Sequence, residues 1–365
     1  MSRHRDVVHV LKHPELFSSA GIRTGRDAAI DERLRGDQVF PESASIIAND
    51  PPVHTRLRKL IAGAFTPAAM SRLEPRVRAL TVGLLDRILE LPVFDVVADL
   101  AIPLPVIVIA ERIGVDPSRL HDFKRWSDAV VDVVAPRSDS DVERVLAARR
   151  ELRAYIEELI VSRRMSPGDD LVSDLCRAEG AEGVVSTDEV LSLVVTLLVA
   201  GNITTTNLIS SAALVLAERP DVFSTIRRDP AVIPAFIEEV LRFDGPAKML
   251  LRRATREVEL SGVVIPEGAI VAALLAAANR DPEVFPEPDV FDVRRNTRSH
   301  VSFGFGIHFC VGAALSRLEG RVVFEEIARR LPPFSREPEP LAWIHALGLR
   351  GLAKLLVQFD RRLAA

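Results

Sequence analysis

The sequence predicts a mostly helical fold with a smaller β part, and three observations predict it. Long segments carry apolar residues at helical spacing, with prolines placed as punctuation between them. The run "LSLVVTLLVAGNITTTNLISSAALVLAE" is apolar nearly all round, as a helix through the interior should be. Beyond it the pattern changes to short β segments separated by glycine turns.

The first clear helix is "PPVHTRLRKLIAGAF", which starts at a proline pair. "SRLEPRVRALTVGLLDRILEL" and "DLVSDLCRAE" read as the next two. The central helix opens with Ser186 and Glu189, a capping-box spacing, and stops at Pro220. It therefore covers about 33 residues, roughly 50 Å at 1.5 Å each. "AVIPAFIEEVLRF" follows as another helix. Then come the β segments "EVELSG", "VVIPEG" and "AIVAALLA", with Gly262 and Gly268 at the turns. A Pro-rich irregular stretch, "NRDPEVFPEPDVFDVRRN", leads to a last helix from Gly312 to about Leu331. Neither an internal repeat nor a linker-like change of composition divides the chain, so residues 1–365 are expected to form a single domain.

Composition narrows the function. A net charge of −4 gives no general attraction to nucleic acid. Cys176 and Cys310 make no disulfide framework and suggest a reducing compartment. "MSRHRDVVHV" has charge but no apolar signal core, and the longest apolar stretches read as too short or too Pro-interrupted to cross a bilayer. A cytoplasmic protein is expected.

The most informative stretch is "HVSFGFGIHFCVGAALSRLEG". Gly304 and Gly306 allow positive φ and close backbone approach, and Gly312 keeps the far side of Cys310 open. The helix beginning there aims the positive end of its dipole at the sulfur, which favours thiolate. A free cysteine is often only a small buried hydrophobe. Zinc would need a second ligand pair beside His308 and Cys310. "GFGIHF" lacks the third glycine and the βαβ context of a dinucleotide site. A Cys–His nucleophile would still need an orienting Asn or Asp.

At these residues the chain resembles the cytochrome P450 superfamily, in its soluble bacterial branch. The family's loop runs Phe-Gly-x-Gly-x-[His/Arg]-x-Cys-x-Gly, and Phe303 to Gly312 fill every fixed position. The resemblance implies a P450-like fold, with the long central helix over a buried haem b. Cys310 is then the axial thiolate of the iron, flanked by Phe303 and Gly304. Three further motifs fall in the family's order. "EVLR" supplies Glu239 and Arg242, which resemble the family's Glu-x-x-Arg pair bracing the core on the haem side. "NDPPVHTRLRKL" resembles the segment whose His54 and Arg58, one helical turn apart, bind haem propionates. Arg252 and His300 resemble further propionate ligands, and His308 joins them. Arg253 should point the other way if its segment is extended.

The sequence departs from the family in three places. Soluble relatives begin with about 30–40 more residues, so the first sheet is expected to lack an edge strand or the start to be late. Val290 stands where the Pro-rich stretch carries an arginine that completes a triad with the Glu-x-x-Arg pair, so a rearranged hydrogen bond is expected. The third departure lies in the central helix, where the family has [Ala/Gly]-Gly-x-[Asp/Glu]-Thr. Gly201 makes room and Thr204 is the alcohol, but Ile203 takes the acid's place. Threonine can bond back to a carbonyl one turn earlier or release it to water. Proton delivery is then expected by waters on Thr204 and Asn202, by a substrate group or by a peroxide shunt.

The resemblance implies a monooxygenase inserting one atom of O2 into a medium-sized, largely apolar molecule, as in natural-product tailoring. A haem-binding sensor or sequestering protein without turnover is the alternative, and the missing acid is its support. With no flavin or NAD domain legible, electrons should come from a ferredoxin-like partner with its reductase, docking near basic residues such as Arg56 and Lys59. The substrate arrives free or tethered to a carrier. Leu198, Ile203, Lys248, Met249, Leu250 and Ala346 are expected to face it. Lys248 is an odd charge for such a wall, and either pairs with an acidic substrate or snorkels to solvent.

Overall fold

The computed structural model describes residues 1–22, 45–132, 139–178, 185–344 and 348–359. In chain order it begins with α1 (His4–Lys12) and β1 (Phe17–Ser18), followed by α2 (Val53–Ala62), α3 (Pro67–Leu89) and β2 (Val93–Asp95). Then come α4 (Pro103–Ile113), α5 (Leu120–Asp132), α6 (Asp139–Met165) and α7 (Leu171–Arg177). The central helix is α8 (Thr187–Glu218), and α9 (Pro220–Arg228) and α10 (Ile233–Asp244) follow it. Next are β3 (Leu250–Ala254), β4 (Val258–Leu260), β5 (Val263–Ile265), β6 (Ile270–Ala273) and the short α11 (Leu275–Ala278). The last elements are α12 (Ala313–Arg330), β7 (Phe334–Arg336), β8 (Ala342–Trp343), β9 (Leu352–Lys354) and β10 (Leu356–Phe359).

Backbone contacts divide the chain into two compact units. The first holds residues 1–17, 67–105 and 203–365, and the second holds residues 18–66 and 106–202. In the second unit α5, α6 and α7 pack together around buried residues such as Trp126, Leu152, Ile156 and Leu171. The capping box at the start of α8 forms reciprocally there: Ser186 N–H donates to Glu189 Oε2 at 2.9 Å, and Glu189 N–H donates to Ser186 Oγ at 3.2 Å. Arg56 of α2 forms an ion pair with the same Glu189 carboxylate.

The first unit contains both three-stranded sheets. One has the order β1-β3-β6 and the other β2-β10-β7. On the open side of β6, the Met1 ammonium donates to Ala272 O at 2.8 Å and Leu274 N–H donates to Met1 O at 2.9 Å. Strand-like pairing thus continues one residue past the sheet. β4 and β5 form a hairpin turning through Ser261 (φ 53°) and Gly262 (φ 78°), the double positive φ that a two-residue turn requires. The packing of α12 on α10 is close because Gly320 faces Ile237: a Cβ there would meet its Cδ1 at 3.3 Å. Phe236 and Phe324 meet edge-on between the same helices, 5.4 Å between centroids.

The 32-residue α8 is long and apolar enough to cross a bilayer by length and composition, which the sequence reading had denied to every segment. Most of its apolar stretch is buried within the protein. Its polar residues have structural uses. Consecutive helical residues point about 100° apart, so Thr205, Thr206 and Asn207 reach three different elements. Thr206 Oγ1 donates to Ala101 O at 2.9 Å, at the end of a π-helical turn. Thr205 Oγ1 lies 3.5 Å from Ser316 Oγ on α12. Asn207 lies flat against Gly351, where a Cβ would come within 1.9 Å of its Oδ1.

Candidate active site

Cys310 sits on an irregular loop that ends at the N-terminus of α12, with its side chain exposed. Its N–H donates to Phe303 O at 2.9 Å, closing the loop on itself. Gly304 and Gly306 have φ of 71° and 72°, the left-handed region that a side chain would resist. Gly306 is further constrained by α1, because a Cβ there would lie 2.5 Å from Leu11 O. Phe305 and Phe309 are each 40 % exposed, so apolar rings stand open beside an exposed thiol.

The helix behind this loop carries two adjacent glutamates. Glu239 and Arg242 are joined by two hydrogen bonds of 2.7 Å, with both side chains fully buried. Arg242 also donates to the carbonyls of Asn279, Pro288 and Val290. Glu239 Oε1 accepts from Asp292 N–H at 2.9 Å and from Arg295 Nε at 3.3 Å. This is the rearrangement expected at Val290: its carbonyl takes bonds from Arg242 and Arg295, and Arg295 supplies the third charged group five residues later. Arg295 was missed because its neighbour in space lies 56 residues away in sequence. Asn279 was missed as well. Its amide bonds Val301 N–H and Ser302 Oγ, tying the start of the cysteine loop to α10 through Leu241 O.

His300 is the clearest correction. Its Nδ1 accepts from Ser302 N–H at 3.2 Å, so Nε2 carries the proton and donates to Glu238 Oε2 at 2.8 Å. Both nitrogens are engaged inside the protein, and in this geometry neither remains for a propionate. Arg252 is buried at the centre of β3, while Arg253 is exposed and donates to Gly268 O, as strand alternation requires. His308 is half-buried in the short helical turn before Cys310. In the second unit His54 is buried and Arg58 half-buried on α2. Burial first, and then the Arg58 cation, hold the His54 imidazole below its usual pKa, so it stays neutral.

The expected substrate-facing residues separate. Met249 and Leu250 are half-buried next to β3, and Leu250 Cδ1 would lie 3.5 Å from a Cβ on Gly304. Lys248 N–H donates to Gly348 O at 2.7 Å, and Met249 packs on Gly348, so the two expected wall segments do adjoin. Ala346 lies outside the described residues. Leu198 has no accessible surface, so it is packed by protein on all sides and lines no open space. Lys248 neither snorkels freely nor waits for an acid: its Nζ donates to Asp244 Oδ1 at 2.6 Å, an oxygen shared with Arg350 Nε at 3.1 Å. Burial lowers its pKa, against the pull of Asp244. On α8, Ile203 and Thr204 are half-buried, Asn202 is buried, and a Cβ on Gly201 would meet nothing within 4 Å.

Known proteins can now be set beside this geometry. The sequence model of the cytochrome P450 family matches residues 120–340. Cytochrome P450 107B1 of Saccharopolyspora erythraea is 39 % identical over 366 residues, covering 98 % of this chain and 88 % of the relative. The 6-deoxyerythronolide B hydroxylase of the same organism is 40 % identical over 330 residues, 88 % of this chain and 81 % of that protein. Among solved structures, P450BioI in complex with an acyl carrier protein ligated to hexadec-9Z-enoic acid matches with a TM-score of 0.89. It is 30 % identical and covers 99 % of this chain and 92 % of that one.

The chain belongs to the cytochrome P450 family. As a P450 it is a monooxygenase with the P450 fold, and its cofactor is haem b. The chemistry of the donor set fits that group. An exposed thiol at a helix N-terminus suits iron, open phenylalanines suit a flat apolar macrocycle, and the buried Arg252 guanidinium with the half-buried His308 imidazole suits carboxylates.

Proposed function

We propose that this P450 hydroxylates a medium-sized, largely apolar natural product, working as a single catalytic domain in the cytoplasm. The observation that carries the reading is Cys310, an exposed thiol between a glycine-shaped loop and the start of α12, flanked by open aromatic rings. When bound, the haem supplies the oxygen-activating iron that no side chain provides. Cys310 is the residue proposed to ligate it. Arg252 and His308 of the first unit are the donors proposed for its carboxylates. Phe303 and Gly304 shape the backbone against it.

On α8, Gly201 leaves space, and Thr204 and Asn202 hold the waters that deliver protons. Ile203 cannot take part, because its alkyl side chain has no exchangeable proton and no acceptor. That residue favours a second reading, oxidation driven by peroxide, which arrives with its own protons. The hydroxylase named for 6-deoxyerythronolide B, a relative, supports a natural-product substrate. The carrier-bound P450BioI structure makes a carrier-tethered substrate a specific case to test. Electrons are proposed to come from a ferredoxin-type donor. Exposed Lys59 remains a candidate for its docking face, whereas Arg56 is committed to Glu189.

Screening compounds, free and carrier-linked, for a Soret shift of the haem-loaded protein identifies the substrate. Substrate-dependent consumption of O2 and reductant is the expected result. Product formed with peroxide alone, and none with O2 and reductant, would establish the second reading.

A further inference from the structure

Glu238 and Arg317 were assigned no role above, yet they form a bidentate charged pair beside the cysteine loop. Arg317 lies on α12, two turns after Cys310. Its Nε donates to Glu238 Oε1 at 2.6 Å and its Nη2 to Oε2 at 2.8 Å, a planar fork on a planar carboxylate. The same carboxylate takes the Nε2 proton of His300, whose ring is fixed from its other side by Ser302 N–H. Burial alone would raise the Glu238 carboxyl, but the bonds from Arg317 and His300 prevail and hold it at about 2. The clamp is therefore charged throughout the working range of pH.

The clamp aims a cation. The Arg317 guanidinium carbon stands 4.4 Å from the centroid of the Phe303 ring. Phe303 in turn accepts the N–H of Cys310 through its own carbonyl. Arg317 also interacts electrostatically with the Cys310 sulfur, which contributes to its raised pKa after the larger effect of Glu238.

We infer that Arg317, held by Glu238 and His300, is a positioning residue that fixes a positive charge over Phe303 on the cysteine loop, so favouring one-electron reduction of the haem that Cys310 ligates. This rests on the haem-thiolate reading above. A cation beside a site that gains negative charge on reduction stabilises the reduced form. The side chain is 39 % exposed, so solvent screens the effect and keeps it moderate.

The test uses the haem-loaded protein and two readouts, the reduction equilibrium and the ferrous–CO Soret band. R317M is expected to lower the reduction equilibrium constant about three- to tenfold while the thiolate-type CO band is kept. R317K restores the charge without the fork, and is expected to recover only part of the loss. E238Q discriminates further. Removing an anion should by itself ease reduction, whereas releasing Arg317 from its clamp should hinder it, and the expected result is hindered reduction. Easier or unchanged reduction in E238Q would overturn the clamp. An unchanged potential in R317M, with only a slower ferredoxin-supported rate, would overturn the proposal and make Arg317 a docking residue. A parent protein without a thiolate-type spectrum would instead refute the haem-thiolate reading itself.

Discussion

Two segments of the first unit concentrate polar groups inside apolar surroundings, and they use them in opposite ways. Glu238–Arg242 employs full charges, each matched by a fork or by several donors. Thr205–Asn207 employs neutral groups, each reaching a different element. Buried charges must be matched completely, so the first segment is rigid and its partners are fixed in angle as well as distance. Neutral hydroxyls need one bond or a water, so the second can anchor a helix without a matching charge. The cysteine side of this P450 is therefore held by matched charges and this part of α8 by neutral groups.

Breaking the charged segment should have the largest effect. E239A removes the acceptor for Arg242, Arg295 and Asp292 N–H together and leaves Arg242 buried without its carboxylate. The expected loss is about 3–5 kcal/mol, read as a fall in unfolding midpoint and in haem retained on purification. A wild-type denaturation curve would show that the backbone carbonyls suffice for Arg242.

Glu319 on α12 sharpens the comparison, because it is a buried acid that no cation matches among the described residues. Burial pushes its carboxyl up to about 8. The folded state keeps the proton where the unfolded chain has lost it. The stability this provides is full below the unfolded value of 4.5 and disappears as pH rises towards 8. E319Q should match the parent in urea at pH 5 and exceed it at pH 8, by on the order of 1 kcal/mol or more. Parallel stability curves would place an unrecognised partner beside Glu319.

On the neutral side, G351A would drive a methyl group into Asn207, at an expected loss of about 1–3 kcal/mol. Pairing it with N207A should recover much of that loss, since the small side chain makes room. Additive losses would mean that the contact is not what fixes Gly351. The smallest effect on stability is expected from T204A, whose side chain is half-buried. Its signature is kinetic, a severalfold rise in peroxide released per reductant consumed. Unchanged coupling would remove Thr204 from proton delivery.

The helices were legible wherever one face repeated or a cap stood at its start. α8, α10 and α12 lie within a few residues of where apolar spacing and caps placed them. The strands β1, β2 and β7 to β10 were not legible, because two to four residues are too few to display an alternation. Nor were the helices α1, α4, α5, α6, α9 and α11 singled out. The Glu239–Arg242 pair was readable because its two members lie on one turn, and Cys310 because its loop concentrates glycines within ten residues.

The sequence by itself determined the family, the cysteine loop and the Glu239–Arg242 pair, since each is carried by residues close together in the chain. Only the tertiary structure decided that His300 serves Glu238, that Arg295 replaces the arginine missing at Val290, that Lys248 is held by Asp244, and that Asn207 closes on Gly351. Apart from the Lys248–Asp244 pair, these partners are dozens to more than a hundred residues apart, and no local spacing encodes which donor a buried acceptor will meet. Lys248 and Asp244 are only four residues apart, but Asp244 ends α10 and Lys248 lies beyond it. Helical spacing does not carry across that break, so their meeting had to be seen in three dimensions.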